Sequence, residues 1–507
     1  MNPEFESRPS IASSSRWILA GVLLSKPFQL ATNVIVARIF GPLQFGTYSL
    51  ANTTAVMLSG IGGLGFGEAI QKFLAENFRR SRDTAVSASG LAIWISMLFT
   101  FVFLVAAWFL RDLWAPDGLV GTGDSIGVFG LCLLVAFGNV AMSLSVNIFS
   151  GIQVFRIVSM LGALQALLAF ALTPALGYAL GIEGALIATI AGSVVCLCLA
   201  VMAIIRTDPR LLVPHPSGVR HLPQIAGVAA PTWIASLIMN PVTVLAWAYL
   251  SSQPGGGHEL GLFNAANALK MLVAVLPGIL GPAIAPALME EGGRHGSEES
   301  YRRLHDDCFY ALLVLGLPPT IIAIGFGDLI FKIYGADFSE SYRLFAPLAA
   351  GVCIGVVNSS IQIAYVAKSK TWLLLWLTFV KVGLFLALVY WWVPTSLASG
   401  LAWAWLSSEL AFAILAAMVA AKLRLVPRAS AMLQAYFLIA ILAFLILLVV
   451  VPATAMRVVA AVLAVGTLVA IGRLHPAALV WVEGALPDRF RGGFRRISSA
   501  LVRGRTA

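Results

Sequence analysis

Charge is scarce in this sequence. Only 11% of its 507 residues are Asp, Glu, Lys or Arg, against about a quarter in soluble globular chains, while 59% are hydrophobic and the mean hydropathy is +0.91. That excludes an ordinary soluble domain and predicts a polytopic membrane protein with room for about fourteen spans of ~20 residues. Cysteine is thin as well. Of the five, Cys132, Cys196, Cys198 and Cys353 sit inside apolar runs and Cys308 opens one. Cys196 and Cys198 are two apart, on different sides of a helix (~200°), which predicts core packing rather than a disulfide or a metal pair. The six histidines fall in or next to loops, where solvation is expected, and metal-ligand spacing, a nucleophile elbow and a Walker loop are all missing. No enzyme constellation, cofactor or metal follows.

One motif points the other way. In "SGIGGLGFGEAIQKF" (59–73), Gly60-x-Gly62-x-x-Gly65 matches the phosphate-binding fingerprint of dinucleotide enzymes. That fingerprint needs a strand before it. Here the long apolar run "FGTYSLANTTAVML" precedes it, so the glycines close a membrane helix. Gly63 and Gly67 are spaced as GxxxG, which predicts close helix packing. The first twenty residues lack a small-residue cleavage site, so the first helix is expected to double as the insertion signal.

Breaking the apolar runs at charges, prolines and glycine clusters predicts an all-α protein of fourteen spans: 14–38, 43–68, 84–110, 124–149, 154–177, 184–205, 223–248, 259–288, 306–332, 342–367, 371–392, 397–421, 431–451 and 456–472. With the N-terminus inside, 25 of the 33 Lys and Arg fall in cytoplasmic segments, 5 in outer ones, and Lys26, Lys270 and Lys381 within spans. Basic residues stay on the cytoplasmic side, so both termini are expected there. A repeat adds to this: "GTYSLAN" (46–52) matches "GLFNAAN" (261–267) at an offset of 215, and "FLAE" (73–76) falls on "LMEE" (288–291). The offset spans six helices, an even number, so the copies are parallel. The expected organisation is a cytoplasmic N-terminus (1–13), an N-lobe (14–205), a linker (206–222), a C-lobe (223–421), an appended helix pair (431–472) and a basic amphipathic tail (473–507). That tail suits an anionic lipid leaflet rather than nucleic acid.

Polar residues line up on helix faces inside the spans: Lys26, Gln29 and Asn33; Asn139, Ser143, Asn147 and Ser150; Asn264, Asn267 and Lys270; Asn358, Gln362 and Tyr365. Asn52 is the repeat partner of Asn267. Such stripes serve interhelical hydrogen bonding or line a wet cavity. A lysine near the bilayer centre costs at least ~3 kcal/mol, so it faces protein or water. Lys26 and Lys270 are expected to line the cavity. Lys381 and Glu409 lie at similar depth on neighbouring spans and form either a structural ion pair or an ion-coupling relay. Arg38 stands at an outer helix end, as an interfacial residue or an anion contact. Glu68 and Lys72, one turn apart, are read as a local pair.

The stretch "NVIVARIFGPLQFGTYSLANTTAVMLSGIGGLGFGEAIQKFLAE" resembles the opening of polysaccharide and O-antigen (Wzx-type) flippases of the MOP (multidrug/oligosaccharidyl-lipid/polysaccharide) superfamily. Arg38, Gly41, Pro42, Phe45, Gly46, Tyr48, Gly63, Leu64, Gly65 and Glu76 carry the resemblance, and "LPGILGPAIAPALMEE" looks like its second-lobe counterpart. The resemblance implies the MOP/MATE-like fold over about 14–472. It also implies export of a polyprenyl-pyrophosphate-linked oligosaccharide across a bacterial inner membrane, beside a polysaccharide polymerase and export machinery. The residues allow that cargo: fixed cations for a pyrophosphate, amides and hydroxyls for sugar hydroxyls. The substrate-contacting set expected is Lys26, Gln29, Asn33, Arg38, Asn52, Asn139, Asn147, Asn264, Asn267, Lys270, Asn358 and Gln362. Rival readings are a lipid II flippase, a multidrug/cation antiporter, which would want buried carboxylates, and a membrane glycosyltransferase or polymerase.

Overall fold

The computed structural model describes residues 11–78, 80–115, 119, 127–293, 298–368, 370–426, 453–474, 479 and 483; the span expected at 431–451 and nearly all of the basic tail lie outside them. Among the described residues all regular structure is helical. In chain order the α-helices are α1 (Ile11–Gly62), α2 (Phe66–Asn77), α3 (Arg82–Phe109), the single turn α4 (Arg111–Trp114), α5 (Gly127–Gly151), α6 (Phe155–Thr207), α7 (Leu222–Ser251), α8 (Gly256–Gly293), α9 (Glu298–Gly325), the short α10 (Gly327–Phe331), α11 (Ser341–Ala367), α12 (Thr371–Lys422) and α13 (Ala453–Leu474).

Among the described residues, eight helices are long and apolar enough to cross a membrane. Three of them are too long to cross it once. α1, α6 and α12 have 52, 53 and 52 residues, about 78 Å of helix against a hydrocarbon core of ~30 Å. Each is a hairpin of two spans, broken at Gly41 (φ 71°), Gly181 (φ 65°) and Leu397 (φ 45°). These breaks fall in or at the edge of the gaps 38–43, 177–184 and 392–397 expected between spans. At the first, Pro42 removes a donor and restricts the residue before it, and Gly41 takes a positive φ at no steric cost. At the third, Thr395 Oγ1 donates to the Trp392 carbonyl (3.1 Å).

The chain divides into two compact units, Met1–Asn264 and Ala265–Ala507. In the first, the α1 hairpin packs on the α6 hairpin and on α5, while α2 lies against α3, α5 and α7. Phe66, Ile70, Phe73 and Leu74 of α2 meet Val86, Ile148, Phe149 and Ile225 in its core.

The repeat has a physical counterpart in this unit. A Cβ on Gly46 would lie 2.4 Å from the Gly257 carbonyl oxygen and 3.0 Å from the Gly261 nitrogen, and one on Gly261 would lie 1.8 Å from the Pro42 carbonyl oxygen. The offset of 215 maps Gly46 onto Gly261 and Pro42 onto Gly257. Each contact is therefore the image of the other, the mark of an isologous, two-fold-related pairing. Glycine stands in both copies because the backbones touch there.

A polar corner ties the end of α6 to the start of α3. Arg82 Nε donates to Asp208 Oδ2 at 3.0 Å and Arg82 Nη2 to the Thr207 carbonyl at 2.8 Å; Arg210 reaches the same Asp208 oxygen at 3.1 Å and Asp83 Oδ1 at 2.6 Å. Partial burial works against ionising Asp208, but the hydrogen bonds and charge of Arg210, with the charge of Arg82, outweigh it and hold the carboxyl below the usual aspartate range. A carboxylate with a depressed folded pKa adds stability above its unfolded pKa of about 3.9 and loses it as the pH falls through the folded value. Asp208→Asn is therefore expected to lower the thermal midpoint near neutral pH and to remove that share of the loss on acidification. A midpoint equal to wild type at neutral pH would contradict this.

In the second unit α11 packs on α9 and α12, and α13 lies along α9. Tyr365 Oη donates to the Ala416 carbonyl at 2.9 Å inside a core of Ile361, Ala364, Leu377 and Phe412. Arg457 of α13 pairs with Asp328 of α10. Two expectations change. His305 is a fully buried residue of α9 rather than a solvated loop histidine, since the helix begins at Glu298, about two turns before the span expected at 306. Cys198 is exposed while the other four cysteines are buried.

Candidate functional site

The glycine run does not form one continuous packing ridge. α1 stops at Gly62, Leu64 and Gly65 take positive φ (54° and 68°), and α2 restarts at Phe66. A helix end leaves its last carbonyls without intrahelical partners. Here side chains reach three of them and the Gly63 carbonyl just beyond. Ser236 Oγ donates to the Gly60 carbonyl (3.2 Å), Trp233 Nε1 to Ile61 (2.8 Å), Thr100 Oγ1 to Gly62 (2.9 Å) and Ser96 Oγ to Gly63 (3.1 Å). Gly65 leaves no room for a side chain: a Cβ there would stand 2.5 Å from both the Ala229 carbonyl oxygen and Thr232 Oγ1. Only Gly67 packs as the GxxxG spacing expects, with Asn147 Nδ2 2.6 Å from where a Cβ would be.

Around this break, α1, α2, α5 and α7 line a cavity of about 260 Å³. Its polar lining is Ser59, Glu68, Asn139, Ser143, Thr232, Ser236 and Asn240; Val56, Val140 and Leu144 add aliphatic surface. Asn147 lies just beyond, its Nδ2 donating to the Ser143 carbonyl (2.9 Å) and reaching Ser143 Oγ (3.2 Å). Asn139 and Ser143 of the α5 stripe thus face this cavity. The stripe's counterpart on α7, Thr232, Ser236 and Asn240, has the same i, i+4, i+8 spacing and was open to the same reading, though sequence reasoning passed over it. Glu68, expected to be half of a local pair, also lines the cavity. Lys72 instead stands 4.0 Å from Glu76, leaving Glu68 to the cavity.

The remaining expected residues fall in three places. On α1, Lys26 Nζ donates to Gln29 Oε1 (3.0 Å), with Asn33 half-buried one turn further on. Among the described residues no carboxylate lies within ion-pair distance of Lys26. Arg38 is exposed near the Gly41 break. Asn52 and Asn264 each spend a donor on the carbonyl four residues back, Tyr48 (3.0 Å) and Leu260 (2.9 Å), and Asn267 is half-buried. On α11, Asn358 is buried with neither amide atom hydrogen-bonded among the described residues, and Gln362 is half-buried.

Lys270, Lys381 and Glu409 come together in the second unit. Lys381 Nζ stands 2.5 Å from Glu409 Oε1. Lys270, only 3% exposed, holds its ammonium 4.1 Å from the centre of the Trp405 ring, and Lys381 lies 5.7 Å from the same ring. Gly351 of α11 makes room for that tryptophan: a Cβ there would lie 2.9 Å from Trp405 Cδ1. Two ammoniums therefore share one indole face, and among the described residues the Glu409 carboxylate stands at ion-pair distance from Lys381 alone.

The sequence profile of the polysaccharide biosynthesis protein family matches residues 11–290, more than half of the chain. The chain belongs to that family. No curated protein matches it at a significant level. Among solved structures, this family member is similar to the lipid II flippase MurJ in an inward closed conformation (TM-score 0.69, 14% identity, covering 92% of this chain and 99% of MurJ). It is similar to an inward-facing multidrug resistance MATE family transporter of the MOP superfamily (0.64, 14%, 81% and 98%). A third is a MOP superfamily transporter from Pyrococcus furiosus (0.60, 15%, 81% and 94%). At such identities the likeness carries the fold: an all-helical, multi-pass membrane protein built like the MOP transporters.

Proposed function

We propose that the chain is a flippase that carries a polyprenyl-pyrophosphate-linked oligosaccharide from the inner to the outer leaflet of a bacterial inner membrane, for assembly of an exopolysaccharide, a capsule or O-antigen. Its partners would be the polymerase and export machinery that consume this cargo, and its termini would be cytoplasmic. Two six-helix lobes, 14–205 and 223–421, rock about a midplane site, with the helix pair at 431–472 appended. One observation carries the substrate class: Lys26 lies within a membrane span, bonded to Gln29 and with no carboxylate beside it among the described residues. An intramembrane ammonium without a counter-ion is costly, and a pyrophosphate crossing there supplies the missing negative charge. Among the described residues, Glu68 in the α1–α2 cavity favours a cationic cargo and hence an antiporter.

The test is reconstitution of the purified chain into vesicles carrying the lipid-linked glycan, read by a glycosidase confined to one side. Glycan that disappears from the protected leaflet only when the protein is present is the expected result. No translocation under proton or sodium gradients, alongside uptake of an organic cation, would overturn the reading in favour of antiport.

A further inference from the structure

We infer that the cavity at the α1–α2 break is a subsite for one uncharged sugar ring, read through its hydroxyl hydrogens, and that it excludes phosphate. This rests on the flippase reading for its biological meaning, but its chemistry stands on the cavity alone.

A hydroxyl has one proton to donate. Ser59 Oγ spends its proton on the Val56 carbonyl (2.8 Å), Thr232 Oγ1 on Ala229 (2.8 Å), and Ser236 Oγ on Trp233 or Gly60 (2.8 and 3.2 Å). Their oxygens therefore turn only lone pairs toward the cavity. Glu68, when ionised, accepts only. Asn139 and Asn240 have no protein hydrogen-bond partner among the described residues and offer both a carbonyl and an amide. The lining is thus rich in acceptors, carries a negative charge and has no Lys, Arg or His among the described residues. Phosphate oxygens, which need donors and cations, are repelled there. A ring bearing several hydroxyls finds an acceptor for each.

Two further features choose a sugar over an organic cation. The described lining contains no aromatic ring, whereas cation sites are typically built from aromatic faces. The glycines at 60, 63, 65 and 67 and the aliphatic Val56, Val140 and Leu144 give smooth surface for the C–H face of a pyranose. The volume, about 260 Å³, falls just below the ~300–1,000 Å³ of drug-sized sites and suits a single ring.

Depth links the subsite to Lys26. Lys26 precedes the Gly41 reversal by about 22 Å of helix and Ser59 follows it by about 27 Å, so both lie toward the same end of the hairpin. A lipid-linked glycan could place its pyrophosphate at the cation and its first neutral sugar at the acceptors.

The test uses the full chain in lipid nanodiscs. Binding of D-glucose, D-galactose, L-rhamnose and N-acetyl-D-glucosamine is read by saturation-transfer NMR, and binding of inorganic pyrophosphate by phosphorus line broadening. At least one sugar is expected to give a signal that falls about fivefold in Asn240→Leu and in Asn139→Leu and persists in Lys26→Ala. Pyrophosphate broadening should fall in Lys26→Ala and survive in the two asparagine variants. Glu68→Gln, nearly isosteric, guards against misfolding and is expected to admit pyrophosphate to the cavity and increase its broadening. Silence from every sugar, sugar signals indifferent to both asparagine variants, or pyrophosphate binding lost with Asn240 would each overturn the proposal. Sugar binding by a chain that fails to move the lipid-linked glycan would sink the flippase reading and leave the subsite standing. Transport without sugar binding would do the reverse.

Discussion

Glu409→Leu is expected to destabilise the folded chain by about 3–5 kcal/mol, the cost of removing one partner from a buried ion pair. Glu409 is 6% exposed and takes the Lys381 ammonium at 2.5 Å. The same carboxylate is the anion that offsets Lys270, whose ammonium rests on Trp405 with 3% of the residue exposed. Without Glu409, two positive charges would share an indole ring inside a membrane protein. An indole face contributes about 2 kcal/mol to a desolvated cation, which does not replace a carboxylate. Thermal unfolding in detergent measures the loss. The double variant Lys381→Met/Glu409→Leu removes one cation with the anion and is expected to recover most of it. A double variant as unstable as Glu409→Leu alone would contradict the pairing.

The second large effect concerns transport. Lys26→Ala is expected to slow translocation of a pyrophosphate-linked glycan by about tenfold to a hundredfold. That follows from losing one charge-assisted contact worth ~1.5–3 kcal/mol. Lys26 makes a single described hydrogen bond, to Gln29, so protein levels and melting behaviour should stay near wild type. Lys26→Arg keeps the charge and is expected to retain most of the rate. Equal rates for the alanine variant and wild type would remove Lys26 from the substrate path.

Much of the fold was legible because membrane helices obey coarse rules. Apolar runs of ~20 residues and the Gly–Pro step at 41–42 mark the first hairpin, and the 215-residue offset predicts equivalences that become physical contacts at Gly46 and Gly261. The cavity was harder to read. Its polar groups come from four helices, each contributing a few residues that look like ordinary interhelical hydrogen bonding. The glycine run reads as helix packing because sequence spacing cannot say that Leu64 and Gly65 leave the helix. Glu68 looks paired in sequence because a base stands one turn on, while Lys72 leans toward Glu76 instead. Lys270 read as a lone cation because Trp405 and Glu409 lie far along the chain and only packing brings them near.

The sharpest measurement compares two cargoes in the same vesicles: one glycan on polyprenyl pyrophosphate, and the same glycan on an uncharged polyprenyl glycoside. Wild type should move the charged lipid quickly and Lys26→Ala slowly, while the two proteins carry the uncharged lipid at matching, lower rates. A Lys26→Ala protein that flips both lipids as fast as wild type would show that no fixed positive charge in the membrane guides this cargo.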